Sequence, residues 1–136
     1  MTARGAVAAI ALATSLGGCA GAGSATEAPQ PAVTIEGITI RNELAYPVSD
    51  VLIEVPATGA YAGCGTVLPR SDCRNTFQQL EYRANAVVVS WREHGLPHAT
   101  GEFVIELPAD LQPGRPARVE VVIFAPGEAG ARLVQP

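Results

Sequence analysis

The chain has 136 residues and a formal net charge of −4, with nine arginines, thirteen acidic residues and no lysine. That length limits it to one domain with a single modest core. The arginines are scattered from Arg4 to Arg132 without a cluster, so there is no basic surface for phosphate backbones and nucleic acid is not an expected partner.

Arg4 precedes "GAVAAIALATSL", an uninterrupted weakly apolar run from Gly5 to Leu16. A membrane span needs about 20 apolar residues, so this run reads as the hydrophobic part of a signal peptide covering residues 1–18. It ends in Leu16, Gly17, Gly18 and Cys19, and this tetrad resembles the lipobox of bacterial lipoproteins. The resemblance implies that the Cys19 thiol takes a diacylglycerol, with palmitate as the natural label, and that Cys19 becomes the mature N-terminus. Gly17 and Gly18 would let an extended backbone reach the signal peptidase. It further implies a membrane partner through the lipid anchor and a place in the bacterial cell envelope. Ala20, not being aspartate, points to the outer membrane facing the periplasm. An ordinary secretory signal cut nearby is the plain alternative.

From Ala20 to Pro31, "AGAGSATEAPQP" has no large apolar residue and cannot repay the entropy of ordering. Residues 19–31 are therefore expected to form a lipidated N-terminus and flexible tether, and twelve coil residues reach roughly 20 Å.

After Pro31 the apolar residues follow period two, which predicts strands, and no window keeps the spacing of an amphipathic helix. In "VTIEGITIRN", Val33 and Ile35 share one face while Ile38 and Ile40 take the opposite parity across Gly37. Gly37 is thus expected at a bulge or a switch of sheet, in an edge or corner strand. Further strands are predicted at "SDVLIEV", "VVVSW", "FVIEL" and "RVEVVIF", with weaker ones near "GTVLP" and "TFQQLEYR". Val51, Ile53, Val55, Val87, Val89, Trp91, Phe103, Ile105, Leu107, Val119, Val121 and Ile123 are the expected inward set. Six or seven short strands separated by Gly and Pro turns predict an all-β fold, a small immunoglobulin-like antiparallel sandwich over residues 32–126. Residues 127–136 read as a C-terminal tail, and a small β-barrel is the alternative architecture.

Assigning Cys19 to lipid leaves Cys64 and Cys73, two thiols in a compartment that oxidises them, and a disulfide is expected. Their spacing is not C-x-x-C, which argues against a redox motif. The segment "PATGAYAGCGTVLPRSDCRNT", residues 56–76, reads as a long stapled loop. Tyr61, Arg70 and Arg74 on it are of the types enriched at protein interfaces.

A search for catalytic patterns finds no G-x-S-x-G, no H-E-x-x-H and no phosphate-binding glycine loop, so an enzyme is not expected and no cofactor is assigned. His94 and His98 are the only histidines. With Glu93 as a third ligand they are weak metal candidates, against the plainer reading of two solvated loop side chains. These features predict a membrane-anchored, non-enzymatic module that contacts another envelope protein. The alternative is a small-ligand or metal carrier using the His94–His98 loop.

Overall fold

Alternating apolar side chains in the second quarter of the chain build β1 (Val33–Asn42), the strand around which the first sheet forms. The computed structural model describes residues 32–136, so the signal peptide, the lipobox with Cys19 and the tether lie outside the described residues. Eight further strands follow: β2 (Val48–Val55), β3 (Ala60–Val67), β4 (Ser71–Tyr82), β5 (Ala86–Glu93), β6 (Leu96–Ala99), β7 (Phe103–Val104), β8 (Ala117–Ala125) and β9 (Glu128–Val134).

They form an all-β sandwich of two open sheets. The first has the order β4-β1-β8-β9 and the second β3-β2-β5-β6, with β7 pairing the start of β5. All pairings are antiparallel except β1 with β8. Those two strands are separated by the whole second sheet, so no hairpin sets their relative direction.

Both inner faces feed one core. Ile38, Ile40, Val121 and Ile123 come from the first sheet, and Val48, Val51, Val87, Val89 and Trp91 from the second, all essentially without exposure. Burying each aliphatic side chain contributes about 1.5–3 kcal/mol. The inversion of parity at Gly37 is a bulge: the register of β1 against both β4 and β8 shifts between Ile35 and Gly37. All four isoleucine and valine side chains around it, Val33, Ile35, Ile38 and Ile40, are therefore buried.

Asn42 at the end of β1 is fully buried. Its Nδ2 donates to the carbonyls of Tyr46 (2.8 Å), Val67 (3.2 Å) and Leu68 (3.2 Å), and its Oδ1 accepts from the Leu44 amide (3.0 Å). One amide thus holds the β1–β2 loop against the β3–β4 turn.

Three expectations are corrected. β1 is an interior strand, hydrogen-bonded on both sides, and not an edge. Residues 128–134, expected in a tail, form β9. Its small Ala129 and Ala131 with the buried Leu133 keep period two but carry little hydrophobic signal. The expected loop at 56–76 is mostly strand: β3 and the start of β4 cover it, because pairing with β2 and β1 outweighs its Gly-rich, turn-like composition. Among the described residues the strands accordingly number nine, two of them very short, where the sequence reading expects six or seven.

Candidate functional site

The sandwich has two ends. β1 rises from the end where the chain emerges from residue 32, and β2, β4, β6 and β9 start at the opposite, distal end. At the distal end β5 and β6 are joined by His94 and Gly95, both with positive φ (52° and 77°), as a two-residue hairpin turn requires. Glu93 just before this turn shares the inward parity of Val89 and Trp91 and is only 4 % exposed.

A carboxylate this deep must be satisfied, and it is. Oε1 accepts from the Tyr46 hydroxyl at 2.6 Å, while Oε2 accepts from Trp91 Nε1 at 2.8 Å and the Gly127 amide at 2.7 Å. His98 Nε2 lies 3.8 Å from Oε2. Burial alone would raise the Glu93 pKa, but the donors from Tyr46, Trp91 and Gly127, with His98 nearby, outweigh it and hold the group below its ordinary value. Donating to Glu93 raises the Tyr46 pKa, with burial and the adjacent charge acting in the same direction.

The histidines go to different rings: His94 lies against Tyr46 with centroids 4.3 Å apart, and His98 stacks on Trp91 at 5.8 Å. Among the described residues no three His, Cys, Asp or Glu side chains gather as a metal-binding group. With its lone pairs engaged by three donors, Glu93 acts here as a polar lock on the distal loops.

The second feature is the corner where the edge strand of each sheet meets the other. Cys64 on β3 and Cys73 on β4 are joined by a disulfide, with Cα atoms 6.6 Å apart, which ties the two sheets along this side. The Asn75 side-chain amide adds a hydrogen bond to the Gly63 carbonyl. Tyr61, Arg70 and Arg74 all lie on this corner but do not converge. Tyr61 is near the start of β3 and 74 % exposed. Arg70 occupies the distal β3–β4 turn, with a positive φ of 50° and its amide bonded to the Leu44 carbonyl. Arg74 pairs with Asp72 on the outer side of β4.

Below the disulfide the sandwich opens. Ile35 pairs with Leu80 but Gly37 with Thr76, so Phe77, Gln78 and Gln79 of β4 span the single Glu36 of β1. This bulge leaves an apolar cavity of about 250 Å³ between the sheets, at the end where β1 begins. Ile35, Ile53, Val55, Val87, Ile105 and Val119 line it, with Tyr61, Phe77 and Leu80 also on its walls. Leu80 is 47 % exposed. The Tyr82 hydroxyl on the same wall is committed, donating to the Asn85 carbonyl at 2.8 Å and accepting from the Ile105 amide at 3.2 Å. Burial raises its pKa.

Sequence reasoning missed this cleft. Its one trace is the spacing of Phe77 and Leu80, three apart within a strand, which period two cannot place on one face without a bulge. The fold and site define a disulfide-stapled β-sandwich domain with an apolar cleft at one end. No protein-family model, curated protein or solved structure matches the chain.

Proposed function

We propose that this chain is a lipoprotein of the bacterial cell envelope, anchored by acylated Cys19 and most consistent with the outer membrane facing the periplasm. Its sandwich acts as a non-enzymatic accessory module that docks another envelope protein. The anchor part is supported by Leu16-Gly17-Gly18-Cys19 and by the linker composition that follows.

The docking part is carried by the state of edge strand β3. Exposed edges present unpaired N–H and C=O groups and are normally blunted by charge, proline, bulging or brevity. The other edges follow that rule: β4 has Asp72, Arg74, Glu81 and a bulge, β9 has Glu128 and Arg132, and β6 is four residues long with Pro97. In contrast β3, "AYAGCGTV", is eight residues long without a charge or a proline, and it carries the exposed Tyr61. An unguarded, disulfide-stiffened edge beside an exposed aromatic suits strand addition by a partner.

The test is site-specific photo-cross-linking in cells, with the cross-linker at Tyr61 or at Leu96 and Cys19→Ala as the mislocalised control. One dominant envelope partner is expected from position 61 and not from position 96. Thr66→Lys, which adds an edge charge, should abolish it. No partner above the Cys19→Ala control would overturn the reading. The alternative carrier role through His94 and His98 finds less support, because the two imidazoles are held on separate aromatic rings.

A further inference from the structure

We propose that the cleft between the sheets is a binding site for one fatty acyl chain of a bilayer lipid, taken from the membrane to which the chain is tethered. The docking reading concerns the β3 edge, whereas this inference concerns the space behind it. It shares with that reading only the Cys19 anchor.

The cleft selects hydrocarbon. Its inner walls are the side chains of Ile35, Ile53, Val55, Val87, Ile105 and Val119. Of the two phenols on its walls, Tyr82 already has both a donor and an acceptor partner, and Tyr61 is 74 % exposed, with its polar end open to water. A ligand with polar groups along its length would lose its hydration and find no replacement. A ligand whose inner part is a bare chain gains burial, while its head remains at the rim, where Thr58, Glu81 and Asn85 stand. The space is also too large for a packing defect. An apolar cavity of about 150 Å³ stays dry and admits an aromatic ring, and this one is about 250 Å³ and opens to solvent beside the half-exposed Leu80.

Position chooses the membrane over a protein side chain as the source. The chain leaves the tether at Val33, which pairs with Tyr82, and Ile35, two residues on, is part of the cleft wall. The mouth is therefore at the end of the sandwich that lies nearest Cys19 along the chain, and acylation of Cys19 would hold that end on the membrane side. The distal end is closed by the polar lock, and the other clefts among the described residues are lined by charged side chains such as Arg41, Glu120, Arg115 and Asp72, so this is the cleft suited to apolar material from the surface beneath it.

The experiment reconstitutes the full lipoprotein into phosphatidylethanolamine and phosphatidylglycerol vesicles doped with a phospholipid bearing a photoactivatable acyl chain, followed by peptide mapping. Label is expected to concentrate on residues 60–62 and 77–82. It should fall about tenfold in Ala62→Phe, which fills the cleft, and in Leu80→Asp, which puts a charge at its mouth. Retention of the Cys64–Cys73 linkage and the near-ultraviolet dichroism of Trp91 would show that both variants fold.

Uniform surface labelling, or labelling unchanged in both folded variants, would overturn the proposal. So would labelling seen only when photoactivatable palmitate is supplied during growth and carried on Cys19, since the occupant would then be the protein's own chain. The intact mass of the N-terminal peptide reads the anchor separately. Unmodified Cys19 with cleft-focused label would refute the anchor and support the acyl site, and acylated Cys19 with diffuse label would do the reverse.

Discussion

The Tyr46 hydroxyl donates a 2.6 Å hydrogen bond to Oε1 of Glu93, 47 residues further along the chain, and so joins the β1–β2 loop to the last residue of β5. Oε2 takes Trp91 Nε1 and the Gly127 amide. Glu93→Leu would strand these three donors and is expected to cost roughly 3 kcal/mol. Glu93→Gln should cost much less, because its carbonyl can serve Trp91 and Gly127 while its amide donates to the Tyr46 oxygen. Chemical denaturation followed by Trp91 fluorescence checks the order, and equal losses for the two variants would contradict it.

The same cluster sets a pH dependence. The Glu93 pKa lies below its ordinary value of 4.5, so its contribution to stability is complete above that value and is lost as the pH falls through the lowered one. Tyr46 and Tyr82 lie above their ordinary value of 10.0, so their contributions are complete below it and are lost as the pH rises through the raised ones. The melting temperature should therefore form a plateau between these limits. Glu93→Gln should flatten the acid side, and Tyr46→Phe should soften the alkaline side only in part, because Tyr82 remains. A thermal-melt series across pH reads both limbs.

How much of this the sequence shows depends on side-chain size. Val51, Val87, Val89, Trp91, Val119, Val121 and Ile123 keep one parity along their strands, and Ser90, Arg118 and Glu120 mark the other, so those strands and inward faces are readable directly; Gly37 is readable as a bulge or a switch of sheet. β9 hides because alanine and glycine carry the alternation, and β3 hides because its composition resembles a turn. Cys64 and Cys73 are readable as a pair from compartment and count, but not as a link between two sheets, since that depends on which strands become edges. The Glu93 lock is invisible for the same reason. Glu93 looks like a polar loop residue beside two histidines until Tyr46, Trp91 and Gly127 arrive from separate parts of the chain.

The disulfide closes a short loop, and its loss through Cys64→Ser with Cys73→Ser is expected to lower stability by roughly 2–3 kcal/mol. The effect should be local as well. Hydrogen exchange is expected to speed up on β3, an edge strand with β2 as its one neighbouring strand, more than on β8, which has strand partners on both sides. Equal acceleration on both strands would show that the bridge acts only through the unfolded chain.

Two glycines of β3 should respond in opposite ways to one added methyl. A Cβ on Gly63 would collide with the backbone carbonyl oxygen of Val51 on β2, while a Cβ on Gly65 meets nothing within 4 Å. Gly63→Ala is therefore expected to cost about 1–3 kcal/mol, as overpacking does. Gly65→Ala should be neutral or stabilising by up to about 1 kcal/mol through the unfolded state. Paired denaturation curves decide this, and a destabilised Gly65→Ala would mean that this stretch of β3 is not in open space.

Asn42 offers the sharpest test of the distal end, because its role depends on which of its side-chain atoms donates. Nδ2 faces three carbonyl oxygens, those of Tyr46, Val67 and Leu68, and Oδ1 faces the Leu44 amide. Asn42→Ala leaves these groups buried without partners, at a cost of about 1–3 kcal/mol for each group left unsatisfied. Asn42→Asp keeps the shape and the bond from Leu44 but sets a carboxylate oxygen against the three carbonyls in a site with no exposure. At neutral pH it should therefore be destabilised at least as much as Asn42→Ala. As the pH falls the introduced carboxyl protonates and regains a donor, so this variant should recover relative to both Asn42→Ala and wild type, each of which keeps the same Glu93. Melting temperatures of the three proteins between pH 7 and pH 4 read the crossing. Parallel curves for the two variants would show that Asn42 fills space and that its donor is not what holds the β1–β2 loop to the β3–β4 turn.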